Sequence, residues 1–209
     1  MNEIKELKYG STNCYVICGS RGRLLFDTDW AGTYFKFCGA LKDAGIALNS
    51  LSCLLISHYH PDHMGIAQDI SSAGVPLLAA DVQKKYLHAS DYIFAREKSA
   101  RFHPIIDSGV LTISCEQSRR FLASMGIDGE VVHTPGHSDD SISLVLDDGS
   151  AFVGDLCPLF TVPAYNSETL ERSWNELLSR GITKIFYGHS NPQQISGIRS
   201  IGDIPAEYL

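Results

Sequence analysis

The sequence HYHPDH, residues 58–63, places three histidines and one aspartate within six positions, although the chain of 209 residues has only eight histidines. The cluster follows the apolar run LSCLLI, residues 51–56, which is typical of a strand buried on both faces. Side chains two positions apart on an extended chain face the same way, so His58 and His60 can reach one point. Pro61 then favours the start of a helix, where its missing N–H is no loss. The pattern predicts a central strand that ends at a polar site and continues into a helix.

The residue types in this cluster are typical metal ligands. Asp62 and His63 would lie at the start of the helix and face nearby space, so the stretch can serve two adjacent metal positions. Imidazole binds zinc, iron, copper and nickel, whereas a carboxylate oxygen suits harder cations. The mixed nitrogen and oxygen donors favour Zn²⁺, with iron or manganese as alternatives. A polar turn with histidines clustered by chance is the competing interpretation, and the further candidate ligands weaken it.

Three more candidate ligands stand where a predicted strand has just ended, and a glycine precedes each of them. They are His137, Asp155 and His189. Glycine allows the backbone to turn sharply and to approach a crowded site. Loops at one edge of a rigid sheet commonly carry functional residues. Packing alone does not explain the repeated order of strand, glycine and histidine or aspartate, so we expect these residues to join the cluster.

The remaining chain predicts alternating strands and helices without a linker or a repeat. Two β-runs surround the turn at residues 19–22, and a second hairpin surrounds Asp147-Asp148-Gly149. The other predicted elements are helices at 33–44, 64–73, 81–88, 116–125 and 167–180, strands at 75–80, 110–115 and 183–187, and a tail over the last 20 residues that is partly helical at best. Residues 89–109 are expected to form a loop or a helical insertion that shapes a substrate pocket. The pattern favours one domain over residues 1–209, with an α/β layered fold that contains more than one sheet.

Composition narrows the classes of partner. The net charge of −7 argues against a nucleic-acid surface, which is normally basic. The start, MNEIKELKYG, shows no signal peptide, and no run approaches the roughly 18 apolar residues of a membrane span. The six cysteines form no CxxC pair and are expected to be reduced thiols of a cytoplasmic protein. A small-molecule substrate is the expected partner, and the sequence does not specify an oligomeric state.

Four motifs together resemble the metallo-β-lactamase-fold hydrolase superfamily. They are HYHPDH at 58–63, TPGHS at 134–138, GD at 154–155 and GHS at 188–190. NCYVI at 13–17 and LLFDTD at 24–29 also look like the opening hairpin of that family. The resemblance implies a four-layer αββα sandwich with two sheets inside and helices on both outer faces. It also implies a site for two metal ions at one edge of the sandwich.

The resemblance assigns all seven candidates to a two-metal centre. His58, His60 and His137 would bind the first ion, Asp62, His63 and His189 the second, and Asp155 would bridge the two. Two Zn²⁺ ions per chain are expected, with Fe or Mn as alternatives. Metals of this kind lower the pKa of bound water from 15.7 to about 7, which supplies hydroxide at neutral pH. Asp62 would act as the catalytic residue that orients this nucleophile and accepts its proton.

The motifs do not fix the substrate. An ester-like bond in a thioester or a lactone is the first expectation. The short tail after His189 lacks the helical domain of glyoxalase II-like thioesterases, and the nearest tyrosine after Asp155 is Tyr165, which lies further along the chain than in lactonase-like members. True metallo-β-lactamases are exported and generally lack the bridging aspartate, so antibiotic hydrolysis is not expected.

Three alternatives stay open at this point. One is a phosphodiesterase or nuclease that contacts phosphates through Arg96, Lys98 and Arg101, although these cations also fit a solvated charged face. Another is a mononuclear iron enzyme similar to persulfide dioxygenases. A third is a non-catalytic relative, which the complete ligand set disfavours.

Residues outside the ligand set have smaller expected roles. Asp27 either orients a ligand histidine or simply follows a strand in a turn. Cys157 is expected to pack rather than to face the site. His88, His103 and His133 match no ligand position and are expected to be structural.

Overall fold

A computed structural model of the protein describes residues 2–97, 99–195 and 197–205. Its strands are β1 (Glu3–Leu7), β2 (Cys14–Cys18), β3 (Arg23–Phe26), β4 (Cys53–Leu55), β5 (Leu77–Ala80), β6 (Val110–Ile113), β7 (Gly129–His133), β8 (Ile142–Leu146), β9 (Ser150–Phe152), β10 (Lys184–Phe186) and β11 (Gln193–Gln194). Its α-helices are α1 (Tyr34–Asp43), α2 (Pro61–Met64), α3 (Ala67–Ser72), α4 (Asp91–Arg96), α5 (Cys115–Ser124), α6 (Val162–Tyr165) and α7 (Glu168–Ser179). Short 3₁₀ turns lie at Leu48–Ser50, Asp81–Tyr86, Asp107–Gly109, Leu159–Thr161 and Ile201–Asp203.

The strands form two mixed sheets. The first sheet has the order β1-β2-β3-β4-β5-β6 and the second has the order β11-β10-β9-β8-β7. In the first sheet β1 to β3 are antiparallel, and β3 to β6 run parallel to one another. In the second sheet β9 and β10 are parallel, so their carboxyl ends lie side by side. Loops that follow parallel strands therefore meet at one edge of each sheet.

The side chains of β2 point alternately to the two faces of the first sheet, which shows how the sheets pack. Tyr15 and Ile17 belong to the apolar cluster between the two sheets, whereas Cys14 and Val16 belong to a cluster on the other side of the first sheet. The ring of Tyr15 meets that of Phe152 from the second sheet, with a centroid distance of 5.1 Å. Full burial of a side chain of this size contributes about 1.5–3 kcal/mol. The face-to-face packing of the sheets is therefore held by alternate side chains of each strand.

Helices cover both outer faces. Phe37 of α1 and Ile70 of α3 lie in the outer cluster of the first sheet. Leu170, Trp174 and Leu177 of α7 lie in the outer cluster of the second. The sequence of layers is helix, sheet, sheet, helix, and it confirms the αββα sandwich that the sequence predicts.

Local differences from the predicted elements have physical causes. The charged segment of β1 was not predicted as a strand, yet it pairs antiparallel with β2 at the edge of the first sheet, where charged side chains are common. The helix predicted over 64–73 is wrong as one element, because the chain breaks at Gly65 and Ile66 between α2 and α3. A Cβ on Gly65 would lie 2.3 Å from the backbone nitrogen of Ala31, so this turn approaches the β3–α1 loop closely. The 81–88 helix is a 3₁₀ turn instead, and Cys115 starts α5 rather than ending a strand, because Ser114 caps that helix.

The described part of the segment 89–109 contains the short helix α4 and ends in the 3₁₀ turn Asp107–Gly109. Both ring nitrogens of His88 contact carboxylates at the ends of the segment, at 2.8 Å from Asp91 and 2.7 Å from Asp107. His103 contacts Asp69 of α3 at 2.7 Å. Lys98, one of the three cations considered for phosphate binding, lies outside the described residues. Among the described residues, no helix combines the length and the apolar character needed to cross a bilayer.

Candidate metal centre

The seven predicted ligands come together in two adjacent groups. One group consists of His58, His60 and His137, and the other consists of Asp62, His63, Asp155 and His189. Within each group the candidate ligand atoms lie within 4.8 Å of one another. The four segments that carry them follow β4, β7, β9 and β10, so strand ends from both sheets meet at one edge of the sandwich.

The three-histidine group directs three nitrogens to one point. His60 Nδ1 lies 3.0 Å from His58 Nε2 and 3.0 Å from His137 Nε2. Ser57 Oγ lies 3.0 Å from His58 Nδ1 and occupies the opposite side of that ring. Donors that bind a tetrahedral zinc ion at ~2.0 Å are separated by about 3.3 Å. The spacing of the group fits a zinc-sized cation.

Asp155 belongs to the second group and also lies close to His137 of the first. One carboxylate oxygen, Oδ2, is 3.4 Å from His189 Nε2 and 3.8 Å from His137 Nε2, and the other, Oδ1, is 3.2 Å from His63 Nε2. Asp62 Oδ2 is 3.0 Å from His189 Nε2 and 3.9 Å from His63 Nε2. Asp155 Oδ2 therefore lies within 4 Å of one histidine from each group.

Two buried atoms of the second group lack hydrogen bonds within the described part of the chain. They are His63 Nε2 and Asp155 Oδ1, which face each other at 3.2 Å. The other nitrogen of His63, Nδ1, lies 3.0 Å from Asp27 Oδ2, so its proton is directed to that carboxylate. Buried polar atoms are nearly always satisfied in folded proteins. A cation between His63 and Asp155 would satisfy both atoms, so this group also fits a metal ion.

The electrostatics of the two groups differ. Burial and the neighbouring His63 lower the pKa of His58, and burial lowers the pKa of His137. Both imidazoles are therefore neutral and can bind a metal ion through a ring nitrogen. Burial also acts to lower the pKa of His63, but Asp27 and Asp155 outweigh it and raise that pKa to about 10. Hydrogen bonds that His189 donates to the carboxylates of Asp155 and Asp62 raise its pKa to about 11. The second group therefore attracts positive charge strongly, and a divalent cation would compete with protons for it.

Asp27 acts on the centre through His63. Its side chain is 1% exposed, and its backbone has a φ of 63°, which is unusual for a residue other than glycine. Asp27 Oδ1 accepts a hydrogen bond from the Ser57 N–H at 2.6 Å while Oδ2 contacts His63. Of the two expected roles, the contacts support orientation of a ligand histidine.

The β1–β2 loop supports the second group through residues that the motifs did not identify. The Ser11 carbonyl accepts from His189 Nδ1 at 3.1 Å, and Thr12 Oγ1 donates to the Asp62 carbonyl at 2.7 Å. Asn13 Nδ2 donates to the carbonyls of Tyr187 and Ser190 at 3.0 and 2.9 Å. The only signal in the sequence was NCYVI, which indicated a hairpin and no contact with the site.

A buried amide and carboxylate hold the HYHPDH loop from its other side. Asp140 Oδ2 accepts from the Tyr59 N–H at 2.7 Å, and Gln83 Nε2 donates to the carbonyls of Ile56 and Ser57. The sequence motifs assign no role to Asp140, although it follows the TPGHS loop closely. Its burial beside Tyr59 gives it a structural role next to the ligands.

The remaining cysteine and histidines behave structurally. The backbone carbonyl of Cys157 accepts from Trp174 Nε1 at 3.0 Å, and its side chain packs on the outer cluster of the second sheet. His133 Nε2 lies 2.8 Å from the Asp139 carbonyl. His88 and His103 bind the carboxylates of the 89–109 segment and of α3, so neither reaches the centre.

Gly188 is expected to be essential for the centre. A Cβ at this position would lie 2.6 Å from Asp155 Oδ1 and 2.8 Å from His63 Cε1. Replacing Gly188 by alanine should displace both ligands and lower metal affinity about 10–100-fold, as changes that disturb ligand orientation commonly do. Metal titration of the purified variant measures this effect, with circular dichroism to check the fold.

Gly39→Ala is the matched control, because a Cβ at Gly39 meets nothing within 4 Å and the position lies inside α1. Alanine is a better helix former than glycine, so this variant should keep wild-type metal content. Wild-type affinity in Gly188→Ala would contradict the close approach of Gly188 to the ligands.

Two mixed sheets between helices, with paired histidine and aspartate groups at one edge, define an αββα protein with a candidate two-metal centre. A model of the metallo-beta-lactamase superfamily matches residues 7–189, a range that includes all seven candidate ligands. The chain belongs to the metallo-beta-lactamase superfamily.

Known relatives extend this comparison. An atrochrysone carboxyl ACP thioesterase from Aspergillus terreus is 31% identical over 150 residues, which cover 69% of this chain and 38% of that protein. A metallo-beta-lactamase family protein from Thermus thermophilus has a similar fold, with a TM-score of 0.71 at 20% identity over 98% of this chain and 79% of that one. A structure described as di-iron-bound has a TM-score of 0.68 at 20% identity over 92% of this chain and 94% of that one. The chain spans only 38% and 41% of the length of two of the thioesterases that it matches.

Proposed function

We propose that the protein is a metal-dependent hydrolase that binds two divalent ions and cleaves an ester-like bond, with thioesters as the first substrate class. The observation that carries this proposal is the pair of ligand groups that share Asp155. Family membership and the thioesterase description of a 31% identical relative support hydrolysis of a thioester. Lactones are the second candidate within the same reaction type.

The candidate ligands have separate proposed roles in metal binding and in proton transfer. His58, His60 and His137 would hold one ion, and Asp62, His63 and His189 the other, with Asp155 between them. Bound divalent ions would supply Lewis acidity at this point. Burial acts to raise the pKa of Asp62, but the hydrogen bond from His189 and the nearby His63 together outweigh it and lower that pKa, so the side chain is an ionised carboxylate at neutral pH. Such a carboxylate can orient an attacking water and accept its proton, which is the catalytic role proposed for Asp62.

Zinc is the proposed metal, and iron is the alternative that the di-iron-bound structure brings forward. A four-residue group beside the three-histidine group supports two ions rather than the single iron of a persulfide dioxygenase-like enzyme. For a phosphodiesterase, Arg96 and Arg101 are exposed, and the Arg96 guanidinium lies 5.8 Å from the ring centroid of Tyr92. These contacts favour a solvated face over phosphate recognition. All six cysteines are free, which supports the proposal of a cytoplasmic location.

Metal removal tests the proposal directly. The purified protein should contain about two ions per chain, and dialysis against a chelator should abolish hydrolysis because the proposed nucleophile is a water that the ions activate. Readdition of Zn²⁺ should restore it. Elemental analysis and parallel assays on a thioester, a lactone and bis-nitrophenyl phosphate measure these outcomes. One iron per chain with oxygen uptake on a persulfide, or full activity after metal removal, would refute the proposed function.

A further inference from the structure

A small cavity opens directly against the candidate centre. Its volume is about 200 Å³, and it touches three of the candidate ligands, His137, Asp155 and His189. Larger cavities of about 500, 430 and 390 Å³ lie elsewhere and touch none of the seven. A group bonded to the carbon under attack must lie beside these ligands, so this cavity limits its size.

Beyond the three candidate ligands, the cavity is lined mainly by Leu156, Pro158 and Tyr187, with Gly154 and Ser190 beside them. Leu156 is 1% exposed, and its N–H donates to the Val153 carbonyl at 3.2 Å. The Tyr187 hydroxyl donates to Gln193 Oε1 at 2.9 Å and accepts from the Leu159 N–H at 3.3 Å, so it is already occupied. Among the described residues that line the cavity, none is a lysine or an arginine.

We infer that this cavity receives the acyl group of the substrate, and that the substrate is a thioester whose uncharged acyl chain is short, with fewer than about six carbons. The inference rests on the proposed function. At ~30 Å³ for each water-sized group, a volume of about 200 Å³ holds about six heavy atoms, and bound ions with the attacking water would take part of that space. A longer leaving arm with amide groups would exceed this volume and find few polar partners there, since Ser190 carries the only hydroxyl besides Tyr187 among the described lining residues. A phosphate or a second carboxylate would find no cationic side chain along the same described walls.

The reaction assigned to the cavity is hydrolysis with one water. A bond forms between the water oxygen and the acyl carbon, and the bond between that carbon and sulfur breaks. One proton of the water ends on the departing sulfur, which leaves as a thiol. The short acid is released from the cavity.

A series of S-acyl N-acetylcysteamine thioesters, from acetyl to decanoyl, tests the inference on the metal-loaded protein. Each buried methylene is worth ~0.8 kcal/mol, so kcat/KM should rise about fourfold per methylene over the first few carbons and level off before about six. Ser190→Leu should fill the cavity and remove most of this gain while metal content stays at two ions. The substitution keeps the Ser190 carbonyl, which accepts from Asn13.

Asn191→Leu is the matched control, because Asn191 is exposed and does not line the cavity. It should keep the chain-length profile of the wild type. Binding of alkyl hydroxamates from two to ten carbons, measured by calorimetry, gives a readout without turnover and should level off at the same length.

The two proposals fail in different ways. A kcat/KM that is flat from acetyl to decanoyl, that peaks at decanoyl, or that ignores Ser190→Leu overturns the cavity assignment while thioester hydrolysis stands. Hydroxamate affinity that keeps rising to ten carbons overturns it as well. Absence of hydrolysis of every thioester by the metal-loaded protein overturns the proposed function and removes the basis of the inference.

Discussion

Replacing Asp155 by asparagine is expected to lower both metal content and hydrolysis by at least ~100-fold, the upper range seen when even a supporting residue of a metal site is lost. Asp155 contacts both groups, at 3.2 Å from His63, 3.4 Å from His189 and 3.8 Å from His137. Burial acts to raise the pKa of Asp155, but the nearby histidines together outweigh it and keep that pKa below the usual range, so the side chain is ionised at neutral pH. Asparagine keeps the shape and removes the charge that two cations would share.

The measurement is metal stoichiometry by elemental analysis together with steady-state kinetics. Asp147→Asn is a suitable control, because Asp147 is exposed, lies in the β8–β9 turn and pairs with Arg119 instead. It should retain two ions and wild-type activity. Two ions and normal activity in Asp155→Asn would show that the carboxylate does not bridge.

Replacing Asp62 by alanine should reduce kcat by ~10²–10⁴-fold, the range expected for loss of a general base. Asp62 Oδ2 lies 3.0 Å from His189 Nε2, and the side chain is 30% exposed, so it borders both the second group and solvent. The same change also removes a proposed metal ligand. Metal must therefore be added in excess, so that loss of the proton acceptor can be separated from loss of metal binding. Loss of kcat that persists at saturating metal identifies the proton-accepting role.

Asp62→Asn complements the alanine variant, because it keeps an oxygen near His189 but accepts a proton poorly. The proposed role predicts that both variants lose kcat, with metal binding weakened less in Asp62→Asn. Asp139→Asn is the control near the site, since Asp139 is exposed and follows the TPGHS loop without belonging to either ligand group. Unchanged turnover in both Asp62 variants would remove Asp62 from the mechanism.

The motifs marked residues that the structure brings together, because each candidate ligand is marked locally. A strand followed by a polar cluster, or by glycine and one ligand, can be read without knowing what lies opposite it. The same reasoning placed Gly154 and Gly188 before their ligands, and the structure shows why, since a Cβ on either would press against Ser57 or Asp155.

What the sequence did not reveal depends on long-range contacts. Ser11 and His189 are separated by 178 positions, and Asn13 and Tyr187 by 174, so no spacing rule connects them. The charged segment of β1 lacks the alternating pattern of a strand, and its pairing with β2 decides its conformation. The break at Gly65 follows from contact with the β3–α1 loop, which local helix propensity does not register.

The two ligand groups draw on both sheets, because the HYHPDH segment follows β4 of the first sheet whereas His137, Asp155 and His189 follow strands of the second. Bound ions would therefore cross-link the two sheets at this edge of the sandwich. Binding to the folded state alone adds about 2.7 kcal/mol of stability at a metal concentration 100 times the dissociation constant. Metal supply would then govern how long the protein survives as well as how fast it works, and cells starved of the ion would lose the enzyme itself.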